Sequence, residues 1–457
     1  MKQDLISPVM RRLSSYISQA GKQELPAPVT EKTKHHVLDT IAAMVSGARL
    51  LPGRSGISYV KTLGGTKESC VIGSRMLTNA ANAALANGMS AHADETDDSH
   101  APSLTHPGCG VVPAALAVAE KQGSSGEALL RAVALGYDLC ARLTMSLDAY
   151  EFREDGHSTH SFGPMFGAAA AAGSLLGLNE TQCRYLLSYT AQQASGISCW
   201  MRDEGHVEKA FDFGGMPARN GVSAAAMVAH GLSGVDDVFS GERSFFVAYG
   251  RDPKPEVLAE GLGETYEILR TNIKRWSVGS PIQAPLDSLS ELIQQNEFRV
   301  EDVESVVVKV YKQGANTTDN RDMPDICMQH LCAVMLLDGT VSFKSSHDEK
   351  RMRDRRVLEV RKKVSLEGDE ALSQAMPSRQ GIVELTLRGG RSLRHHTKAV
   401  RGTWENPMPR AEVDAKSYDL LAPVTGKARA RKLCDAVWSL EKLRDVRKLR
   451  PLLMEKP

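Results

Sequence analysis

The stretch Gly167-Ala168-Ala169-Ala170-Ala171-Ala172-Gly173 sets the architecture of most of this chain. It carries only small, uncharged side chains, so the helix that it predicts can be buried on every side and lets neighbouring backbones approach closely. The flanking segments of the first 270 residues are also of helix length and rich in Ala, Leu, Gly and Val. Their helical periodicity, without strand-like alternation, predicts an all-α region.

Two capping signals predict where helices on either side of this stretch begin. Ser124-x-x-Glu127 precedes apolar residues that share one face at helical spacing. Asn179-x-x-Gln182 is the second signal, and it introduces a segment with Leu186 and Leu187. We therefore expect helices that start at these two points.

The pattern changes after about residue 271. Alternating apolar positions predict two strands, and a Gly-Gly pair after the second predicts a hairpin turn. Residues 325–337 and 354–363 are predicted to be helices, and the chain is helical again from about Asp414. The residues that carry the strand pattern are Val306, Val308 and Val310, then Val383, Leu385 and Leu387, with Gly389-Gly390 as the turn.

This order of elements predicts a mainly α protein of two domains. A chain of 457 residues exceeds the size at which a single hydrophobic core stops growing. We expect a large all-α domain formed by residues 1–270 and 402–457. A smaller α+β domain, residues 271–401, is inserted into it.

Composition excludes several classes of protein. The content of 42% hydrophobic and 24% charged residues is that of a soluble globular chain, and the net charge of +1 offers nothing to nucleic acid or an anionic membrane. No apolar run reaches the roughly 18 residues of a membrane span. Eight cysteines without a C-x-x-C pair indicate buried thiols in a reducing compartment. We expect a cytoplasmic protein without nucleic-acid or membrane partners.

The densest polar cluster is His92-Ala93-Asp94-Glu95-Thr96-Asp97-Asp98-Ser99-His100, followed by Thr105-His106-Pro107-Gly108. It lies between two apolar helical segments, and a loop held by a rigid scaffold is where catalytic groups tend to be. A carboxylate near an imidazole can orient it and raise its basicity. The alternative is a solvated acidic loop whose histidines bond the backbone.

A metal site is a rival interpretation, because His and Asp at such spacings can ligate zinc, iron or manganese. However, no H-E-x-x-H, paired E-x-x-H or facial-triad spacing occurs in the cluster, so we predict no metal and no cofactor. His157 and His160 lie just before the Ala-rich helix, and Lys209 precedes a Gly-rich stretch. Each of these three residues has an ordinary structural or surface role as its alternative.

The segment from His92 to Ala115 resembles the signature of the MmgE/PrpD family. Members of that family include 2-methylcitrate dehydratase, cis-aconitate decarboxylase and iminodisuccinate epimerase. Further matches extend over nearly the whole chain in the same order. They are Leu38-Asp39-Thr40-Ile41-Ala42 with Ser46-Gly47-Ala48, Phe162-Gly163-Pro164, Ala218-Arg219-Asn220-Gly221, Leu336-Leu337-Asp338-Gly339, Asp354-Arg355-Arg356-Val357 and Val437-Trp438-Ser439-Leu440.

The resemblance implies a large helical domain with a smaller lid domain, a homodimer, and an active site in the cleft between the domains. Family members act on small di- or tricarboxylates without metal or organic cofactor. The family's pocket positions correspond to Glu95, Ser99, His106, His157 and Lys209. We expect His106, His157, Lys209 and Glu95 to be catalytic, and Ser99 and His100 to contact the substrate.

Two lid positions depart from the family pattern. The histidine that dehydratase and decarboxylase members carry near the start of the lid corresponds to Gln283, after Lys274. Relatives often have a tyrosine at the position of His330. Glutamine can hydrogen-bond a substrate but cannot exchange a proton near neutral pH. Lys274, Gln283 and His330 are expected to contact the substrate from the lid.

These observations predict a cofactor-independent lyase, either a dehydratase or a decarboxylase, acting on a small di- or tricarboxylate. Lys209 and one histidine would stabilise developing negative charge, and His106 and His157 would exchange protons. The alternatives are an epimerase or racemase with two bases, and a non-catalytic member that binds a carboxylate.

Overall fold

The computed structural model describes residues 6–455. The chain forms two compact units: one comprises the residues up to Thr271 and those from Glu412 onward, and the other is Asn272–Ala411. About 60% of the residues are helical and 8% are in strands, which confirms the predicted mainly α fold. No helix between residues 6 and 455 has both the length and the apolar character needed to cross a membrane.

The first unit is built from helices. In chain order they are α1 (Pro8–Ala20), α2 (Ala27–Gly47), α3 (Leu51–Leu63), α4 (Ala80–Ala91), α5 (Pro107–Gln122), α6 (Gly126–Ser146), α7 (Ala149–Glu154), α8 (Thr159–Leu175), α9 (Glu180–Gln193), α10 (Val207–Ala210), the π-helix Phe211–Gly215, α11 (Met216–Ala229) and α12 (Phe245–Tyr249). A ribbon of two short antiparallel strands, β1 (Ser69–Cys70) and β2 (Leu77–Thr78), interrupts the all-α pattern that the sequence predicts.

Helix α8 is the centre of this unit, as its composition predicts. Its five consecutive alanines are completely buried. It crosses α6 where two glycines meet, and a Cβ atom added to Gly167 would lie 2.4 Å from the carbonyl oxygen of Gly136. Only a residue without a side chain permits that approach, so the small residues of α8 let the surrounding helices pack on it from all sides.

The two capping predictions have different outcomes. The Asn179–Gln182 capping box is confirmed, with reciprocal side-chain to backbone bonds at both residues. The prediction for Ser124 is wrong by one residue. Ser125 has the extended backbone of an N-cap and its Oγ accepts from the amide of Ala128, so α6 begins at Gly126.

The second unit combines a four-stranded sheet with helices. Its elements are α13 (Gln283–Gln295), β3 (Val303–Tyr311), α14 (Lys312–Thr318), α15 (Met328–Asp338), α16 (Phe343–Ser346), α17 (Arg355–Arg361), β4 (Val364–Asp369), α18 (Glu370–Gln374), β5 (Gly381–Leu387) and β6 (Ser392–Thr397). The strand order is β4-β3-β5-β6, with β3 and β4 parallel and the other pairs antiparallel.

The alternation in the sequence confirms which face of this sheet is buried. Val306, Val308 and Val310 of β3 are completely buried against the helices, while their neighbours are partly exposed. The predicted turn between β5 and β6 is present at Gly389 and Gly390, both with positive φ.

The chain then returns to helices. They are α19 (Arg410–Thr425), α20 (Lys427–Trp438) and α21 (Arg450–Leu453).

Candidate active site

The His-rich and acidic cluster, residues 92–106, connects α4 to α5 and is largely buried. The solvated-loop alternative is therefore wrong for its first part, where every residue from His92 to Asp98 is buried. The loop ends where Pro107 occupies the first position of α5, a position that needs no amide donor. A buried loop with this many carboxylates has to satisfy them internally.

Asp97 does so by binding two imidazoles. Its Oδ2 is 2.8 Å from Nδ1 of His92, and its Oδ1 is 3.1 Å from Nδ1 of His106. Burial by itself would raise the pKa of the Asp97 carboxyl, but the two imidazoles outweigh burial and hold that pKa well below its usual value. Because an ionised carboxylate only accepts hydrogen bonds, both histidines carry a proton on Nδ1.

Asp98 anchors the same loop to the helices beneath it. Its carboxylate accepts from Tyr137 Oη at 2.6 Å, from the amide of Gly108 at 2.9 Å and from His36 Nδ1 at 2.7 Å. Burial lowers the pKa of His36 to about 4, so this imidazole is neutral near pH 7. The loop is thus fixed to α2, α5 and α6.

Four imidazoles form a continuous row on one side of this loop, and we call it the imidazole row: His206, His92, His106 and His160. Successive ring centroids are 5.1, 5.1 and 5.3 Å apart. Phe213, in the π-helix, stacks on His92 at 4.2 Å and on His160 at 3.9 Å. Phe213 also lies 5.4 Å from the ring centre of His106, so this one aromatic ring contacts His92, His106 and His160.

The histidines at the two ends of the row are neutral near pH 7. His160 and His206 both have a pKa well below the usual value, because burial disfavours the imidazolium and neighbouring cationic groups add to that effect. His206 also has a left-handed backbone, with φ of 57°. Each of them has a buried ring nitrogen without a hydrogen-bond partner in residues 6–455, Nδ1 in His160 and Nε2 in His206.

Lys209 supplies the cation of the site. Its ammonium group forms an ion pair with Glu95, in the loop, and both side chains are largely buried. It also lies 5.5 Å from the ring centre of Trp200 and 5.3 Å from that of Phe213. The structure thus pairs Lys209 with Glu95 and places both Lys209 and His106 beside Phe213, while the catalytic roles of these residues stay predictions.

His157 has other neighbours. Its ring stacks on Phe152 at 4.5 Å and lies 5.8 Å from Tyr249. Among the described residues, no ring contact joins it to the imidazole row, whereas His160, the second residue of α8, contacts His106 directly. A catalytic role for His157 stays a prediction.

The remaining predicted residues of the first unit differ in their contacts. His100 is buried, with Nδ1 bound to Ser103 Oγ at 2.7 Å and Nε2 to Glu267 at 3.2 Å. Ser99 is half-buried at the edge of the loop. The bonds of His100 give it a structural partner on each nitrogen, and its contact with a substrate stays a prediction.

In the second unit, the Gln283 amide is used within its own unit. Its Oε1 accepts from the amide of Trp276, and its Nε2 donates to the carbonyls of Trp276 and Val278. His330 is completely buried, both ring nitrogens lack a described partner, and burial lowers its pKa to about 4. Lys274 is buried as well.

Sequence reasoning missed several members of the site. It counted Asp97 among the carboxylates without distinguishing it, and it gave no role to His206, Phe213 or Trp200. His160 was noticed but not chosen. A signal existed only for Asp97, which lies five residues after His92 and nine before His106.

Two groups of side chains among the described residues could hold a metal ion. One is His92, Asp97 and His106, and the other is His92, Glu95 and His206.

A helical unit with buried imidazoles, a carboxylate that orients two of them and an adjacent lysine defines a protein equipped for acid–base chemistry on a small polar molecule. Family models identify the chain more narrowly. The MmgE/PrpD N-terminal domain matches residues 11–258, and the MmgE/PrpD C-terminal domain matches residues 276–442. The chain belongs to the MmgE/PrpD family.

Curated relatives extend this comparison over nearly the full chain. A cis-aconitate decarboxylase of Aspergillus terreus is 25% identical over 98% of this chain and 96% of its own. The proteins of the same name from Mus musculus and Homo sapiens are 25% and 24% identical, over 81% and 93% of this chain and 78% and 90% of theirs.

Proposed function

We propose that this protein is a lyase, of the dehydratase or decarboxylase type, that acts on a small di- or tricarboxylate by acid–base chemistry without a cofactor. The observation that carries the proposal is the Asp97 carboxylate, which orients His92 and His106 beside the Lys209–Glu95 ion pair. Membership of the MmgE/PrpD family and the relatives named cis-aconitate decarboxylase support it.

The chemistry follows from the charges. Loss of water or carbon dioxide next to a carboxyl group builds negative charge on the substrate, which a site without a metal has to neutralise with cations and positioned acids. Lys209 provides the cation and exchanges its partner Glu95 for a substrate carboxylate. His106, whose Nδ1 faces Asp97, exchanges a proton through Nε2.

The reaction needs a second protein group that transfers a proton to or from the substrate, and two histidines are candidates. The resemblance names His157. The ring contacts favour His160, which lies 5.3 Å from His106 and is neutral near pH 7 because burial lowers its pKa. A neutral imidazole can act as a base without first losing a proton.

Contacts from the second unit remain part of the proposal. Lys274, Gln283 and His330 would approach the substrate with Ser99 and His100 in a closed state. A glutamine exchanges no proton near neutral pH, and the Gln283 amide is bonded to its own backbone neighbours, so we assign proton transfer to histidines of the first unit. From the resemblance we also infer a homodimer, and from the cysteine usage a cytoplasmic location.

Proton NMR in deuterated water tests the proposal with a panel of di- and tricarboxylates that includes cis-aconitate. We expect one of them either to lose carbon dioxide, with one deuterium entering the product in its place, or to lose water, which leaves a double bond and adds no deuterium. The matched control is Asp236→Asn, a half-buried carboxylate that pairs with Arg184 and is remote in sequence from the loop. Turnover at the wild-type rate in His106→Asn would contradict the assignment of His106.

An epimerase is the second candidate, because His106 and His160 could serve as two bases. Deuterium exchange at a stereocentre with the carbon skeleton and all substituents retained would identify that activity instead. If no member of the panel exchanges or reacts, the non-catalytic carboxylate-binding alternative is favoured.

A further inference from the structure

His92, Glu95 and His206 converge on one point of the site. One ring nitrogen of each histidine and one oxygen of Glu95 all lie within 4.8 Å of one another, and all three residues are buried. The group draws on the end of α4, the loop after it and the residue before α10. We propose that these three side chains form a binding site for a divalent transition-metal ion of the zinc class.

Two nitrogens are suited to this role. Nε2 of His92 and Nε2 of His206 are buried without a hydrogen-bond partner in the described part of the chain, and the residues are 0% and 8% exposed. A buried polar atom without a partner is costly, and a bound cation would remove that cost. Two imidazoles and a carboxylate are the ligand set that zinc and its neighbours in the periodic table bind.

Asp97 binds the ring nitrogen of His92 that is not offered to the ion. It holds the proton of His92 on Nδ1, at 2.8 Å, so the lone pair of that ring is on Nε2. A carboxylate behind a histidine ligand fixes its orientation and increases its basicity, as in many zinc sites. The His92 ring is therefore already oriented before an ion arrives.

Lys209 competes with the metal ion for the Glu95 carboxylate. Its ammonium group pairs with the same Glu95 carboxylate that the ion needs. A dication and an ammonium group within a few ångströms repel each other strongly in a buried site. The ion therefore binds only when Lys209 leaves Glu95, and it acts as an antagonist of Lys209, not as a cofactor.

The test uses the full-length chain without a histidine tag and without substrate. Calorimetry with zinc chloride and absorption spectroscopy with cobalt chloride should show one ion per chain, with cobalt bands that indicate nitrogen and oxygen ligands. His206→Asn and Glu95→Gln should weaken binding by about 100-fold or more, and Asp97→Asn by about 10- to 100-fold. Lys209→Met should tighten binding by about tenfold, because it removes the competing charge.

The variants are chosen so that the fold is kept. Asparagine tolerates the left-handed backbone of residue 206, and its amide is a poor ligand for zinc. The matched control is His230→Gln, an exposed histidine that bonds the carbonyl of Ala226 and should leave binding unchanged. Thermal unfolding verifies that each variant is folded. If His206→Asn does not fold, the zinc affinities of Glu95→Gln and Lys209→Met decide whether the site exists.

Three results would overturn the proposal: no saturable binding to the wild-type chain, equal binding by Glu95→Gln, or weaker binding by Lys209→Met. Because the experiment contains no carboxylate substrate, its failure leaves the proposed lyase activity untouched. In the same way, an inactive lyase would leave the metal result standing.

Discussion

At the scale of the residue, Asp97 has the largest share in organising the site. One buried carboxylate fixes the tautomer and the orientation of two imidazoles, His92 and His106. Without it, each ring could rotate or carry its proton on the other nitrogen. The proton-transfer nitrogens would then be lost even with every histidine present.

We therefore expect Asp97→Asn to lower turnover of the substrate by about 10²- to 10⁴-fold, the usual contribution of a general acid–base group. The amide is nearly isosteric but accepts on only one of its two positions. Steady-state kinetics measure the effect, and Asp236→Asn, at a half-buried carboxylate that pairs with Arg184, serves as the control. A change of less than about twofold would argue against the role of Asp97.

His160 and His157 can be separated by one pair of variants. His160→Asn should reduce turnover by about 10²-fold or more if its contact with His106 reflects proton transfer. His157→Asn removes a ring that stacks on Phe152, so it should lower the midpoint of thermal unfolding more than the turnover of the folded enzyme. A large loss of turnover in His157→Asn, together with near-normal turnover in His160→Asn, would assign proton transfer to His157 instead.

Asp138 makes stability depend on pH. It is completely buried, and burial raises its pKa to about 7 although Tyr16 Oη and the amide of Glu267 donate to it. The folded state therefore binds a proton more tightly than the unfolded state. Its contribution to stability is greatest below about pH 4 and is lost as the pH rises to about 7.

Asp138→Asn removes this dependence, because the amide keeps the shape of the side chain and does not titrate. Urea unfolding at several pH values should show the variant gaining stability relative to wild type between about pH 4 and pH 7, by at most about 4 kcal/mol. A constant difference across that range would show that Asp138 does not titrate there.

At the scale of the element, the π-helix Phe211–Gly215 is the structure that presents Phe213 to the imidazole row. It passes so close to α4 that a Cβ atom added to Gly214 would lie 2.2 Å from the carbonyl oxygen of Gly88. The wider turn of a π-helix places one extra residue in that contact. The position of Phe213 therefore depends on the close approach of Gly214 to Gly88.

Gly214→Ala should cost about 1–3 kcal/mol of stability, because the added methyl group overpacks a contact between two backbones. Gly205→Ala is the matched control, since a Cβ atom there meets nothing closer than 3.6 Å. Chemical denaturation of both variants measures the difference. Equal stability of the two would show that α4 and the π-helix can separate without cost.

The elements also show what the sequence can and cannot predict. The buried face of β3 and the helix α8 follow from local patterns of side-chain size and polarity, and both were predicted. The choice between His157 and His160 does not follow from such patterns, because it depends on where the first turn of α8 faces. Phe213 was missed since its role comes from the path of the π-helix, which no local pattern in Phe213-Gly214-Gly215 specifies.

At the scale of the whole molecule, the first unit is assembled from distant parts of the chain. Lys416, in α19, donates to Asp39 of α2 at 2.6 Å and to the carbonyl of Thr96 at 3.0 Å. Asp39 is completely buried, and burial raises its pKa to about 6 despite the opposing effect of Lys416. The C-terminal segment thus neutralises a charge in the N-terminal half and supports the loop that bears Asp97.

Lys416→Met should destabilise the protein by about 3–5 kcal/mol, because it leaves the Asp39 charge buried without its partner. The double variant Asp39→Leu with Lys416→Met should recover much of that loss, since neither charge is then buried. Lys427→Met, at an exposed position, is the control. Thermal and urea unfolding measure all three, and a double variant no more stable than Lys416→Met would contradict this explanation.

The division of the first unit between both ends of the chain has a consequence for its synthesis. A ribosome that adds about 5–20 residues per second needs on the order of ten seconds to pass from the end of the first segment to Lys416. During that interval the second unit can fold, while Asp39 in the nascent first unit does not yet have its hydrogen-bond partner Lys416. The site around Asp97 is therefore finished only after translation of α19, and a chain released before that point would expose an incomplete hydrophobic core to chaperones and proteases.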